Sequence, residues 1–88
     1  MYAIIAYDIN VERVNKAKSF LRMYLTWVQN SLFEGEITES DCMEIKKGLS
    51  DIIKQEEDSV VFYLFSSNKL FTRETLGKKK GEPKEIVI

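Results

Sequence analysis

Two seven-residue runs, YAIIAYD (2–8) and SVVFYLF (59–65), are apolar at nearly every position. Each is too short for a globular helix and rich in β-formers, so each reads as a strand that must be covered on both faces. Between them lie two helical stripes. Val11, Val14, Ala17, Leu21, Tyr24 and Leu25 recur at steps of three and four, and so do Cys42, Ile45, Leu49, Ile52 and Ile53. The segment TWVQNSLF alternates, with Val28 and Leu32 on one face and Trp27, Gln29, Ser31 and Phe33 on the other, and reads as a further strand. EGEIT follows at once, with Gly35 available for a turn or bulge. Strands two and three are therefore expected as a short hairpin or a bent ribbon. Thr38 followed by Asp41 fits a capping box for the second helix. Gly48 inside that helix costs about 1 kcal/mol relative to Ala, which suggests close packing there. EED (56–58) reads as a loop, residues 66–84 as polar and irregular, and EIVI (85–88) as a short closing strand.

The order is β-α-β-β-α-β plus a terminal strand. This predicts an α+β, ferredoxin-like βαββαβ domain over residues 1–88, with both helices on one face of an antiparallel sheet. The other face is expected to be too apolar to stay solvated, given Ile4, Val60, Phe62 and Tyr63. With 88 residues and one modest core, a homodimer through or beside that face follows as an expectation.

Composition narrows the chemistry. The chain has no histidine, one cysteine and no apolar run near the roughly 20 residues that span a bilayer. Ser-His-Asp and Cys-His catalysis and histidine-bearing zinc sites are excluded, and an internal disulfide is impossible. The N-terminus lacks a basic segment and its apolar run breaks at Asp8, so a cytoplasmic protein without a leader is expected. Net charge is −1, but basic residues gather at 11–25 (Arg13, Lys16, Lys18, Arg22) and in GKKKG (77–81), whereas 34–58 is acidic. One basic face suffices for nucleic acid, although solvated helices also carry such charges. GKKKG does not match the phosphate-binding G-x-x-x-x-G-K-[ST] pattern.

Asp8, at the end of the first strand, is the leading functional candidate. Spacing alone favours a cap: Asp8 or Asn10 can accept hydrogen bonds from the first turn of the helix. The alternative is a hard-cation ligand for Mg²⁺ or Mn²⁺, completed by a second Asp8 across a two-fold axis. Gln29 and Ser31, on one strand face, can position a phosphate or simply bond at the sheet edge. Cys42 lies on the apolar stripe and reads as inert core.

MYAIIAYDIN followed by VQNSLFEGEIT resembles the small CRISPR-associated adaptation proteins, the Cas-two family of CRISPR-associated endoribonucleases. The family pairs a YD ending strand one (Tyr7, Asp8) with Q-x-S-x-F-x-G roughly twenty residues on (Gln29, Ser31, Phe33, Gly35). The later strand, basic loop and terminal strand follow the same layout. The resemblance implies a ferredoxin-like homodimer that serves spacer acquisition with the Cas-one integrase. It also implies metal-dependent (Mg, or Mn) endonuclease activity on single-stranded RNA or duplex DNA. The family's metal aspartate maps onto Asp8, its serine and phenylalanine onto Ser31 and Phe33, and an arginine early in helix one onto Arg13. Nucleic-acid contacts are then expected from Arg13, Lys16, Arg22, Ser31, Lys78, Lys79 and Lys80. Dimer contacts are expected from Tyr7, Phe33, Ile86, Val87 and Ile88, the last three adding a strand to the partner's sheet. With no histidine and few acids near Asp8, hydrolysis is expected to be slow. A purely structural DNA scaffold is the competing reading, and a VapD-like toxin ribonuclease or a small-molecule regulatory domain are lesser ones.

Overall fold

In the sheet, β1 (Tyr2–Asp8) is central, which is why its sequence is apolar on both sides: it pairs antiparallel with β3 (Leu32–Glu36) and with β4 (Ser59–Phe65). A short β2 (Thr26–Gln29) flanks β3, giving the order β2-β3-β1-β4. Helices α1 (Val11–Leu21) and α2 (Glu39–Ile52) connect β1 to β2 and β3 to β4. The computed structural model describes residues 1–77 and 86–87.

Strand alternation sorts the side chains. Ala3, Ile5, Tyr7 and Phe33 face the helices and are buried with Ala17 and Leu21 of α1 and Cys42, Ile45 and Leu49 of α2. Full burial of a side chain such as Ile5, Leu21, Phe33 or Ile45 contributes about 1.5–3 kcal/mol. Asn10 caps α1 by accepting from the Glu12 N–H at 3.0 Å. Thr38 and Asp41 form the expected reciprocal capping box on α2. Gly48 is where the helices meet: a Cβ there would lie 2.1 Å from Cζ of Phe20.

Two expectations need correction. TWVQNSLF is two strands, broken by a turn at Asn30–Ser31 where Asn30 takes φ 42°, a conformation Asn tolerates better than most residues. A register shift between Trp27 and Gln29 then pairs Trp27 with Phe33 and Gln29 with Leu32. Gly35 stays inside β3, where a Cβ would press to 3.2 Å from Cδ2 of Leu25. Val60 and Phe62 are on the helix side, partly buried against the core, because period-two alternation sets them opposite to Tyr63.

The face away from the helices carries Ile4, Val61 and Tyr63, the last two 42% and 52% exposed. One end of it is covered. The chain turns back after β4, and the Phe71 ring packs against Tyr2 and Phe65 at centroid distances of 5.5 and 5.2 Å. Beyond it, β5 (Glu74–Thr75) pairs in parallel with β6 (Ile86–Val87). The closing strand, expected on a partner's sheet, thus has its described ladder within its own chain. Lys78, Lys79, Lys80 and Ile88 lie outside the described residues.

Candidate metal and nucleic-acid site

Asp8 is the last residue of β1, opposite Ser59 in the ladder with β4. It is exposed, and no hydrogen bond or ion pair engages its carboxylate among the described residues. The capping duty belongs to Asn10, so the carboxylate is left free at the rim. The buried acid of this region is instead Asp58.

Asp58 has a fully buried side chain and receives four donors. Its Oδ1 accepts from Asn10 N (2.9 Å) and Arg13 Nη2 (3.0 Å), and its Oδ2 from Arg13 Nε (2.7 Å) and Lys54 N (2.9 Å). Glu57 takes a further bond from Arg13 Nη2 at 3.0 Å. The hydrogen bonds from Arg13 hold the Asp58 carboxyl well below the usual carboxylate range, with those from Asn10 and Lys54 adding to them against desolvation. Asp58 in turn raises the Arg13 pKa. Nothing local in the sequence signals this cluster, because Arg13 and Asp58 are 45 positions apart. The Arg13 side chain, expected at nucleic acid, is only 12% exposed and its fork is committed to carboxylates.

The other sequence-derived candidates separate into two groups. Tyr7 and Phe33, expected at a dimer interface, are 6% and 0% exposed beneath the helices, with rings 6.1 Å apart, and form part of this chain's own core. Burial pushes the Tyr7 hydroxyl up, and the Arg22 charge partly offsets this. Ser31 and Gln29 are exposed, but the turn between them removes the shared strand face. That turn is tied to the site. Tyr7 N donates to Ser31 O (3.0 Å), and Trp27 Nε1 and the Tyr7 hydroxyl donate to Asn30 O (3.1 and 3.5 Å). Ser31 is thereby bonded to the residue preceding Asp8.

On α1, the sequence singled out Lys16 and Arg22. Both are exposed, but the structure groups Arg22 with Asn15, Lys18 and Ser19 around a shallow groove. Spacing of three and four residues places these on one face, and Arg22 carries its charge toward Tyr7 and the hairpin turn. A phosphate backbone laid along this face meets two cations and two neutral donors.

Among the described residues no three Asp, Glu or Cys side chains cluster as a metal site. Of the candidates singled out from the sequence, the hard oxygen ligand is Asp8. Exposed and unpaired, it suits Mg²⁺ or Mn²⁺, which retain several waters and accept one or two carboxylates.

Two helices on one face of an antiparallel β2-β3-β1-β4 sheet, connected as β-α-β-β-α-β, define a ferredoxin-like α+β protein. The family model for CRISPR associated protein Cas2 matches residues 1–73, and the chain belongs to that family. A CRISPR-associated endoribonuclease Cas2 2 from Archaeoglobus fulgidus is 57% identical over 88 residues, covering 100% of this chain and 96% of the relative. A crystal structure of cas2 superposes with TM-score 0.85 at 43% identity, over 100% of this chain and 98% of the other. Streptococcus pyogenes Cas2, solved at pH 6.5, superposes with TM-score 0.71 at 33% identity, over 80% and 92%. No helix among the described residues is long and apolar enough to cross a membrane.

Proposed function

We propose that the protein acts in CRISPR adaptation as a cytoplasmic homodimer and hydrolyses phosphodiesters of single-stranded RNA with Mg²⁺ or Mn²⁺. The observation that carries this is Asp8: an exposed carboxylate without partners among the described residues, on a buttressed strand end whose preceding residue is bonded to the polar turn at Ser31. RNA is preferred over duplex DNA as substrate because relatives identical at 57% and 53% are named endoribonucleases. In the homodimer, two Asp8 carboxylates form the ligand pair. A divalent cation bound there supplies Lewis-acid polarisation of the phosphodiester and activation of water. Lys18 and Arg22 hold the backbone phosphates, and Ser31 offers a hydroxyl to a phosphate oxygen. Water adds to phosphorus, one P–O ester bond breaks, and the proton passes to the departing oxygen. No histidine is present to act as general base, so turnover is slow.

The test compares wild type with Asp8→Asn on single-stranded RNA and on duplex DNA, in Mg²⁺, in Mn²⁺ and in chelator. Cleavage of RNA should fall to the chelator background in the variant; cleavage that persists overturns the reading. A specific observation favours a second one: among the described residues no three potential metal ligands cluster, which is less than a two-metal nuclease has. In that reading the dimer is a DNA-positioning scaffold for the Cas-one integrase, and phosphates are met without base readout. Spacer acquisition that survives Asp8→Asn, with duplex DNA binding that weakens steeply with salt, supports it.

A further inference from the structure

We propose that Arg13 and Asp58 are positioning residues for Asp8, fixing the strand end that carries the carboxylate, and that Arg13 makes no contact with nucleic acid. This rests on the reading of Asp8 as the metal ligand. Asp58 joins four pieces of chain at one rim. Its oxygens take the N–H of Asn10, two residues beyond Asp8, the N–H of Lys54 after α2, and two donors of Arg13 on α1. Its own neighbour Ser59 is the ladder partner of Asp8. Asp8 is therefore bracketed: the ladder holds its backbone on one side and the Asn10 anchor holds the chain just after it.

The clasp is built for rigidity rather than for ligand capture. Arg13 directs Nε and Nη2 at the two oxygens of one carboxylate, a bidentate geometry that Lys cannot reproduce. Asp58 has no exposed side-chain surface through which to touch a substrate. A ligand pair assembled from two protomers tolerates little displacement of either carboxylate. Loss of an outer support of a metal ligand typically reduces affinity or activity about 10–100-fold.

The experiment uses the full chain and five variants: Asp8→Asn, Arg13→Lys, Arg13→Gln, Asp58→Asn and the Arg13→Lys/Asp58→Asn double variant. Turnover and KM on single-stranded RNA, Mn²⁺ affinity by electron paramagnetic resonance, and RNA affinity across a salt series are measured at 25 °C. Arg13→Lys keeps the charge and one donor group, so it is the variant that folds if Asp58→Asn does not. We expect Arg13→Lys to lower kcat and Mn²⁺ affinity about tenfold. Its KM and salt slope should stay within about twofold of wild type, since no phosphate contact is lost. Asp58→Asn should do the same although it cannot reach RNA, and the double variant should be no worse than either single one. The charge-removing Arg13→Gln should leave the salt slope unchanged; a raised KM at unchanged kcat in Arg13→Lys, with a salt slope shallower by about one in Arg13→Gln, would make Arg13 a phosphate contact and overturn the proposal. So would wild-type kcat and Mn²⁺ affinity with only a lowered melting temperature. If Asp8→Asn is fully active, the reading of the metal site fails first; if it is inactive while Arg13→Lys turns over normally, only the clasp fails.

Discussion

Among the described residues two carboxylates are buried, and they are buried by different means. Asp58 lies where β1, α1, α2 and β4 converge, and two of its four donors are backbone N–H groups of the fold itself. Glu34 points from β3 to the face opposite the helices and is 3% exposed, with the segment after β4 packed on that face. Its partners are the Tyr2 hydroxyl and Arg73, the latter carried on that segment. Asp58 is thus satisfied wherever the domain folds, whereas Glu34 keeps its Tyr2 bond but gains its cation only when residues 71–73 dock. The first arrangement builds a fixed rim for Asp8; the second couples one end of the open face to the chain leading toward β6.

Breaking the rim should have the largest effect. Asp58→Ala leaves two backbone N–H groups and the Arg13 guanidinium without their acceptor, and the melting temperature should fall by more than about 10 °C. The pH dependence separates this contribution from others. A carboxyl held below its unfolded value binds fewer protons in the folded state, so its stabilisation is present above about pH 4 and is lost as pH falls below that. Urea unfolding between pH 2 and 5 should show a shallower slope for Asp58→Asn than for wild type. An equal slope would mean that the clasp carries none of the acid sensitivity.

Glu34→Ala should have a smaller and more local effect. Removing one partner of a buried pair costs about 3–5 kcal/mol when the other stays buried. Here the segment can lift and let Arg73 hydrate, which limits the loss to about 2 kcal/mol. Hydrogen exchange provides the check: amides of residues 69–77 should lose protection while those of β1 and β3 keep theirs. Uniform loss would show that the segment is part of the core and erase the contrast with Asp58.

The sequence carried the architecture because the architecture depends on periodicity. Alternation and three–four spacing placed both helices and the central strands, and the local i to i+3 pair of Thr38 and Asp41 announced its cap. It misled wherever a single residue breaks a period. Asn30 turns the chain inside an unbroken alternating pattern, so the pattern points to Gly35, five residues later, as the turn. The face of Tyr7 and Phe33 depends on which side the helices take, which alternation alone does not specify. Asp8 was legible as the end of an apolar run, but the clasp beside it was not. Its members are distant in sequence, and EED looks the same whether solvated or buried.

The smallest effect concerns Asp8 itself and tests whether the reactive carboxylate is energetically separate from its support. Exposed and unpaired, Asp8 should contribute within about 0.5 kcal/mol to stability, so Asp8→Asn should melt with wild type in chelator. In a dimer that brings two Asp8 side chains together, the variant also removes a like-charge contact and should if anything melt slightly higher. Adding Mn²⁺ should then reverse the order. At ten times its dissociation constant a ligand that binds only the folded state adds about 1.4 kcal/mol, a gain open to wild type and closed to Asp8→Asn. A metal-dependent rise in melting temperature common to both proteins would place the cation elsewhere. If neither protein responds, the dimer does not pair its Asp8 carboxylates, and the rim held by Asp58 supports a lone acid.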